Sequence, residues 1–312
     1  MRAVVFDQFG PPEVIHATDL PVPTPGPGEV VVEVAAATLN PTDLMMRSGQ
    51  QAKLMTDLRP PYIAGMEFAG HVRKRSPDSS RLEVGQSVIG IVNPRRPKGG
   101  AHCEFVCVPE ASVVSAPVGV DLVEAATIPM NGLTARMALD ALSLQPGATL
   151  LVTGGAGALG GYVIQLARYA GLSVIADASE RDRGLLMQLG ATAVVPRGED
   201  MGRTVRSMYA AGVDAAVDCA LLGDAAAALV RDGGSLVSVR SSQKYGTPRV
   251  NVKYIGVLQQ VLDTDALTWV AARAQEHVLT PRVAQTFAFS DAAQAHRLLE
   301  QGGLRGRIVL VP

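Results

Sequence analysis

The sequence has little cysteine, little net charge and no long apolar run, and each shortage excludes a class of protein. Three of the 312 residues are cysteines, and an odd number spread over a long chain does not form a disulfide framework, so we expect a reducing, cytoplasmic location. The 28 basic and 29 acidic residues leave a net charge of −1, so no overall field attracts nucleic acid or an anionic membrane. No apolar stretch reaches the roughly 18 residues of a membrane-spanning helix, and the first residues show no secretion signal. We therefore expect no nucleic-acid partner, no membrane partner and no export.

The composition changes along the chain at about residue 121. Residues 1–121 are rich in Pro and Gly and contain short β-branched runs between turns, which predicts a mostly β domain. Residues 122–257 alternate short apolar strands with Ala- and Leu-rich segments at helical spacing, which predicts an α/β domain with a doubly wound parallel sheet. Residues 258–312 are too few to fold alone, so we expect them to return to the first domain.

The strongest local motif is an apolar strand that leads into a glycine-rich turn and a helix, LLVTGGAGALG. Three glycines have the spacing G-x-G-x-x-G, in which the first makes the tight turn, the second lets the backbone approach a pyrophosphate and the third packs helix against strand. The N–H groups and the dipole of the helix N-terminus favour a diphosphate. The motif therefore predicts a Rossmann dinucleotide-binding turn. Its predicted cofactor-binding residues are Gly155, Gly157, Ala158, Leu159 and Gly160.

The residues that follow the next strand bear on the choice between NAD and NADP. Asp177 lies 22 positions beyond Gly155, where a carboxylate would hydrogen-bond a ribose 2′-hydroxyl and favour NADH. An equal alternative is that Asp177 begins a helix and faces solvent. Ser179, Arg183 and Arg197 instead supply donors and positive charge that suit a 2′-phosphate. These residues alone leave both cofactors open.

Nine strings along the chain, among them GEVVVEVAAATLNPTDLMMRSG, PPYIAGMEFAGHV, AATIPMNGLTA, VDAAVDCA and FSDAAQAHRLLEQGGLRGRIVLVP, occur in the order typical of one family. The chain resembles the zinc-independent quinone oxidoreductase (zeta-crystallin-like) branch of the medium-chain dehydrogenase/reductase superfamily over its whole length. The resemblance implies an α/β fold with a Rossmann domain and a distorted β-barrel (GroES-like) catalytic domain. It also implies hydride transfer from NADPH to a small electron-poor acceptor, a quinone or an α,β-unsaturated carbonyl or enoyl compound. We expect a homodimer.

The resemblance implies that this chain needs no zinc. Zinc-dependent relatives have Cys and His where this chain has Asn40 and Met66, and an amide and a thioether cannot replace a thiolate and an imidazole in a tetrahedral zinc site. Cys103 and Cys107, with His102 beside them, are expected to be buried structural residues.

The resemblance also assigns roles near the nicotinamide. Asn40 is implied as a donor toward the acceptor carbonyl, and Thr42 either donates a proton or caps a turn. Thr134 matches a segment near the nicotinamide amide. Many quinone reductases have a Tyr shortly after the Asn, and this chain has methionines there. No His or carboxylate of the first domain is distinguished as an acid, so we expect the final proton to come from water.

Three further residues receive roles. The aligned family position for the ribose carboxylate falls on Ala178, which leads us to predict NADPH over NADH. We expect Asp43 to form a turn or begin a helix rather than act as an acid, and Glu67 to persist as a structural partner.

Two alternatives remain open. A short-chain dehydrogenase would carry its glycine motif near the N-terminus and a Tyr-x-x-x-Lys pair, and no tyrosine of this chain has Lys four residues later. A catalytically idle NADPH-binding protein with a structural or RNA-interacting role would need a basic aromatic surface, which the sequence does not offer. A turnover assay separates the idle protein from the enzyme.

Overall fold

The computed structural model describes residues 1–240 and 242–312. The strands are β1 (Arg2–Phe6), β2 (Ile15–Asp19), β3 (Glu29–Leu39), β4 (Tyr62–Ile63), β5 (Glu67–Arg75), β6 (Ser87–Ile91), β7 (Phe105–Pro109), β8 (Val113–Ser115), β9 (Thr149–Thr153), β10 (Ser173–Ala178), β11 (Ala193–Pro196), β12 (Val213–Asp218), β13 (Val230–Ser238), β14 (Asn251–Tyr254), β15 (Val283–Ala288) and β16 (Arg307–Val311). The α-helices are α1 (Pro41–Arg47), α2 (Leu122–Ala125), α3 (Pro129–Leu142), α4 (Ala158–Tyr169), α5 (Arg183–Leu189), α6 (Glu199–Met208), α7 (Asp224–Ala227), α8 (Thr264–Gln275) and α9 (Ala292–Gln301). Short 3-10 helices span Pro12–Val14, Ala52–Leu54, Glu110–Ser112, Glu180–Asp182, Val257–Gln260 and Phe289–Asp291.

Contacts divide the chain into two compact units. The first comprises residues 1–130, 258–277 and 281–312, and the second comprises residues 131–257 and 278–280. Residues 122–130, with α2 and the start of α3, group with the first unit.

The first unit is built on a seven-stranded sheet in the order β15-β16-β3-β5-β6-β8, with β7 also paired to β3. Its pairs are antiparallel except for β15 and β16, which are parallel. A three-stranded antiparallel sheet, β2-β1-β4, belongs to the same unit. The β-branched run Val30, Val31 and Val32 of β3 is fully buried, as expected of a strand that is paired on both sides.

The last strand lies inside the first sheet. β16 pairs antiparallel with β3, with Val309 opposite Thr38 and Ile308 opposite Leu39. This register brings the start of β16 to the end of β3, immediately before α1. The position of β16 therefore matters for every side chain at that end of β3.

The second unit is a six-stranded parallel sheet in the order β11-β10-β9-β12-β13-β14. Leu151, Ile175, Ala216 and Leu236 are fully buried in its core. The strand order runs outward from β9 in one half and from β12 in the other, so the topological switch point lies between β9 and β12. The predicted α/β fold, with a mostly β first domain and a doubly wound parallel sheet in the second, is confirmed.

None of the helices within residues 1–240 and 242–312 combines the length and the hydropathy needed to cross a bilayer.

Candidate functional site

The glycine-rich turn joins β9 to α4 and has one buried face and one accessible face. Gly155 and Gly160 are buried, whereas Gly157, Ala158 and Leu159 are partly exposed. The residue with a left-handed backbone is Gly154, with φ of +66°. The tight-turn role that the motif assigns to Gly155 therefore belongs to its neighbour, because only Gly adopts this conformation at little cost.

A Cβ atom added at each glycine of the motif would meet different surroundings. At Gly155 it would lie 2.9 Å from Leu186 Cδ2 and 3.0 Å from a carbon of Ala176, and at Gly160 it would lie 2.4 Å from the carbonyl oxygen of Gly154. At Gly157 it would meet only that carbonyl oxygen, at 3.2 Å. Gly155 and Gly160 thus serve packing inside the unit, and Gly157 is the least crowded glycine of the three.

The start of α4 fits a dinucleotide diphosphate. Gly157 is the N-cap of this 12-residue helix, and the first N–H groups of a helix have no acceptor within the helix. Those N–H groups carry the positive end of the helix dipole. The turn therefore combines anion-binding donors with a backbone that a ligand can approach closely.

Asp177 lies at the end of β10, beside the turn, and its carboxylate is already bonded. Oδ1 accepts a hydrogen bond from the backbone N–H of Gly154, and Oδ2 accepts one from Arg197 Nε at 3.1 Å. Asp177 is 3 % exposed, so the alternative that it faces solvent at a helix start is wrong. Its charge is offset by Arg197, whose side chain is 44 % exposed.

The other predicted phosphate-binding residues lie just after β10. The Ser179 hydroxyl donates to the Asp182 carboxylate. Arg183 Nε lies 3.5 Å from Glu180 Oε1, and both side chains are exposed. Exposed ion pairs of this kind contribute little and exchange partners readily. Thr134 lies in α3 and is 8 % exposed.

In the first unit, Asn40 belongs to a buried polar cluster formed by Thr38, Asn40, Glu67 and Arg307. Arg307 Nη2 donates to Thr38 Oγ1 at 2.8 Å, Asn40 Oδ1 at 2.5 Å and Glu67 Oε1 at 2.6 Å. The Asn40 amide nitrogen lies 3.3 Å from both Thr38 Oγ1 and Glu67 Oε1. All four residues are 7 % exposed or less, so the ion pair between Arg307 and Glu67 is shielded from water.

Glu67 is the centre of that cluster. Its Oε1 accepts from Thr38, Asn40 and Arg307, and its Oε2 accepts from the backbone N–H of Met130 at 2.7 Å. The predicted role of Glu67 as a structural partner is confirmed. Arg307 was not singled out from the sequence, although a cation in the apolar strand RIVLVP is itself a sign of a buried partner.

Thr42 and Asp43, in the first turn of α1, differ in burial and in hydrogen bonding. Thr42 is half-buried, and its Oγ1 donates to Met66 Sδ at 3.0 Å. Asp43 is fully buried; its two oxygens accept the backbone N–H groups of Asn40 at 2.8 Å and Gly65 at 2.9 Å. Asp43 therefore has the helix-start role predicted for it, and Thr42 keeps a weakly bonded hydroxyl.

The cysteines of the first unit are structural. Cys103 and Cys107 are free thiols, 1 % and 2 % exposed, and burial raises the pKa of Cys103 to about 12. The prediction of buried structural cysteines is confirmed.

Within the part of the chain that the structure describes, no group of three or more His, Cys, Asp or Glu side chains is arranged to hold a metal ion.

Apart from Thr134 on α3, the predicted site residues form two groups. The glycine turn, Asp177 and Arg197 meet at one edge of the second unit's sheet, with Ser179 and Arg183 just beyond β10. Asn40 and Thr42 lie at the start of α1 in the first unit. Asp218, at the end of β12, was missed, although it closes a buried strand next to the turn in the sheet order.

Comparison with known proteins identifies the family. Residues 26–118 match the family described as "Alcohol dehydrogenase GroES-like domain", and residues 189–310 match the one described as "Zinc-binding dehydrogenase". The chain is 30 % identical over 227 residues to a chloroplast envelope quinone oxidoreductase homolog of Arabidopsis thaliana, covering 70 % of this chain and 68 % of the relative. It is 28 % identical over 319 residues to an NADPH-dependent alkenal/one oxidoreductase, chloroplastic, of the same plant, covering 100 % of this chain and 80 % of the relative.

A solved structure supports the same assignment. The quinone oxidoreductase from Coxiella burnetii superposes with a TM-score of 0.89 at 30 % identity, covering 100 % of this chain and 99 % of that one. Because both the sequence and the fold match along the chain, this protein is an oxidoreductase that belongs to the quinone oxidoreductase branch of the medium-chain dehydrogenase/reductase superfamily.

Proposed function

We propose that the chain transfers hydride from NADPH to an electron-poor acceptor, a quinone or an α,β-unsaturated carbonyl or enoyl compound, without zinc. The observation that carries the proposal is the glycine turn at the start of α4, where Gly157 has no side chain between the helix N-terminus and a dinucleotide diphosphate. The name of the Arabidopsis alkenal/one oxidoreductase, which states NADPH dependence, supports the choice of cofactor and acceptor. When bound, the nicotinamide supplies the hydride.

The residues of the first unit suit an acceptor whose oxygen gains negative charge, because such an oxygen needs a hydrogen-bond donor. Within residues 1–240 and 242–312, the Thr42 hydroxyl donates to a thioether sulfur alone, which is a weak acceptor. Its hydroxyl can therefore turn to an oxygen without leaving a strong acceptor unpaired. The Asn40 N–H groups face Thr38 and Glu67, so the donor role implied for Asn40 stays a prediction and Thr42 is the donor that we propose.

The first test asks whether the protein is active without zinc. Asn40 and Met66 occupy the ligand positions, and their neutral side chains are held by Arg307 and Thr42. We expect metal-free protein to oxidise NADPH with an acceptor from a panel of quinones, 2-alkenals and enoyl thioesters. Zinc at one equivalent per chain by elemental analysis, with activity lost on chelation, would contradict this. No turnover with any member of the panel would favour the catalytically idle alternative.

The glycine turn gives the second test. Gly157→Val places a side chain at the start of α4, so we expect the Kd for NADPH to rise about tenfold or more through loss of close backbone approach, which corresponds to about 1.4 kcal/mol. The added Cβ would lie 3.2 Å from the Gly154 carbonyl oxygen, so we expect a small fall in melting temperature. Gly160→Ala is the contrasting variant, because its Cβ would lie 2.4 Å from the Gly154 oxygen and should lower both stability and binding. An unchanged Kd for Gly157→Val in a calorimetric titration would show that this turn does not hold the dinucleotide.

The preference for NADPH rests on the state of Asp177. Its carboxylate is buried and directed to the turn and to Arg197 Nε, and this orientation favours a cofactor that does not depend on Asp177 as the acceptor for a free 2′-hydroxyl. The half-exposed guanidinium of Arg197 bonds to Asp177 through Nε, which lets its Nη groups turn to a phosphate, with Ser179 and Arg183 nearby in sequence. This arrangement supports NADPH, and NADH is the alternative cofactor.

We expect Arg197→Ala to lower kcat/KM for NADPH by roughly 10- to 100-fold, since a charge-assisted hydrogen bond contributes about 1.5–3 kcal/mol. The same variant leaves the Asp177 charge uncompensated, which repels a 2′-phosphate further. Arg183→Ala should show a smaller loss, and Arg203→Ala, whose side chain is 82 % exposed on α6, serves as the control. A parent that prefers NADH, or a ratio of NADPH to NADH efficiency that neither Arg197→Ala nor Arg183→Ala changes, would remove the proposed phosphate pocket.

A further inference from the structure

The ends of β9 and β12 are joined by a side-chain hydrogen bond across the switch point of the second unit's sheet. Thr153 Oγ1, at the end of β9, donates to Asp218 Oδ1, at the end of β12, at 2.7 Å. Ligands of open parallel sheets bind in the crevice outside the strand ends at such a point. Asp218 therefore lies at the base of the crevice that the glycine turn borders.

The four hydrogen bonds of Asp218 tie two segments to this point. Oδ1 accepts from Thr153 and from the backbone N–H of Leu222 at 2.9 Å, and Oδ2 accepts from the backbone N–H of Gly223 at 2.9 Å and from the Tyr245 hydroxyl at 3.0 Å. Asp218 is fully buried, so no water competes for these bonds. The loop after β12 and the segment after β13 are thus held by one carboxylate.

The loop after β12 contacts the glycine turn directly. Ala220 donates its backbone N–H to Thr153 Oγ1 at 3.0 Å, and a Cβ atom at Gly154 would lie 3.3 Å from the Ala220 Cβ. A shift of residues 219–223 would therefore reach the turn itself.

The segment 242–250 meets that loop near Tyr245, and its far end is anchored separately by Arg249, which donates to main-chain carbonyls after α7 and in β13. The Tyr245 hydroxyl bonds to Asp218, and the backbone N–H of Gly246 donates to Asp224 Oδ1 at 2.8 Å. The Tyr245 ring lies 6.3 Å from that of Tyr254 on β14. Burial raises the pKa of Tyr245 to about 12, so its hydroxyl keeps its proton and donates throughout the ordinary assay range.

We propose that Tyr245 is a positioning residue of the dinucleotide site: its hydroxyl latches segment 242–250 onto Asp218 and so preforms one wall of the crevice at the switch point. The inference rests on the proposed function, because it presumes that a dinucleotide enters this crevice. If the segment is already ordered in the free protein, binding of the dinucleotide does not have to order it. Without the Tyr245 hydrogen bond, the free energy of ordering the segment is subtracted from the binding free energy, and the Kd rises.

The test compares Tyr245→Phe with Tyr254→Phe, which removes a hydroxyl from the neighbouring ring and is the matched control. Calorimetric titration should show a Kd for NADPH about tenfold higher in Tyr245→Phe, given the worth of a hydrogen bond to a charged group, and a parental Kd in Tyr254→Phe. At saturating NADPH, kcat should stay near the parental value, since Tyr245 holds the segment and takes no part in the chemistry. A kcat that falls while Kd is unchanged would overturn the positioning role.

Hydrogen exchange in the cofactor-free protein tests, independently of cofactor binding, whether the Tyr245 hydroxyl holds the segment on Asp218. Faster exchange at the amides of Leu222, Gly223 and Gly246 in Tyr245→Phe, together with the higher Kd, supports the proposal. Unchanged exchange shows that the hydroxyl does not hold the segment, and faster exchange with a parental Kd shows that the segment does not shape the site; either result overturns the proposal. Failure of the parent to bind NADPH or NADH would instead overturn the proposed function, and that result is visible before any variant is made.

Discussion

Replacing Arg307 with methionine is expected to lower the free energy of unfolding by about 3–5 kcal/mol, because Glu67 would remain buried without its cation. Arg307 Nη2 serves three acceptors at once, and the Glu67 side chain is 0 % exposed. Removal of one partner from a buried pair leaves an uncompensated charge, which costs more than the pair itself contributes. Denaturant unfolding of parent and variant measures the difference.

The chain offers a matched control in Arg297→Met. Arg297 lies 2.6 Å from Glu13, the same distance as between Arg307 and Glu67, but its side chain and that of Glu13 are 47 % and 62 % exposed. An exposed pair contributes about 0–1 kcal/mol, so this variant should stay within that range. The double variant Glu67→Leu/Arg307→Met should recover part of the loss, because it removes both charges. Equal, small losses for Arg307→Met and Arg297→Met would contradict the buried-pair interpretation.

Acidification is expected to destabilise the chain through His296, by about 3 kcal/mol between pH 6.5 and pH 4.5. Burial lowers the pKa of His296 to about 2, and the nearby charges of His102 and Arg47 act in the same direction. The folded state thus keeps His296 neutral while the unfolded chain binds a proton below its ordinary pKa of 6.5. No stability is lost above pH 6.5; below it, each pH unit costs about 1.4 kcal/mol until the folded pKa is reached.

The measurement is the free energy of unfolding against pH for the parent, His296→Asn and His277→Asn. The His296 variant is less stable at neutral pH but lacks this slope, so its difference from the parent should shrink as the pH falls. His277 is exposed, and its variant should keep the parental slope. Parallel curves for the parent and His296→Asn would show that this histidine is not held neutral.

The parts of the fold that depend on local sequence were predictable. The strand, glycine turn and helix around Gly157 follow from residues within one short segment, and the alternation of strands and helices predicts the parallel sheet. Contacts between distant positions were not predictable in this way. Arg307 meets Glu67 across 240 positions only because β16 pairs with β3 in one register, and no local pattern specifies that register.

The orientation of side chains at the ends of strands also could not be predicted from the sequence. Asp177 was placed at the correct strand end, but whether its carboxylate faces a ribose, solvent or the turn depends on a rotation that the sequence does not encode locally. The structure turns it to the N–H of Gly154 and to Arg197. The same limit applies to Tyr245, because a tyrosine in an irregular segment has no pattern that identifies its partner as Asp218.

The place of β16 inside the first sheet also has a consequence for synthesis. The second unit is almost wholly contiguous, residues 131–257, so a nascent chain has made nearly all of it before Arg307 is synthesised. The polar cluster around Asn40 needs Arg307, which bonds to the Asn40 side chain. That cluster can therefore form only after most of the second unit has left the ribosome, and the Asn40 end of the first unit matures later than the sheet of the second.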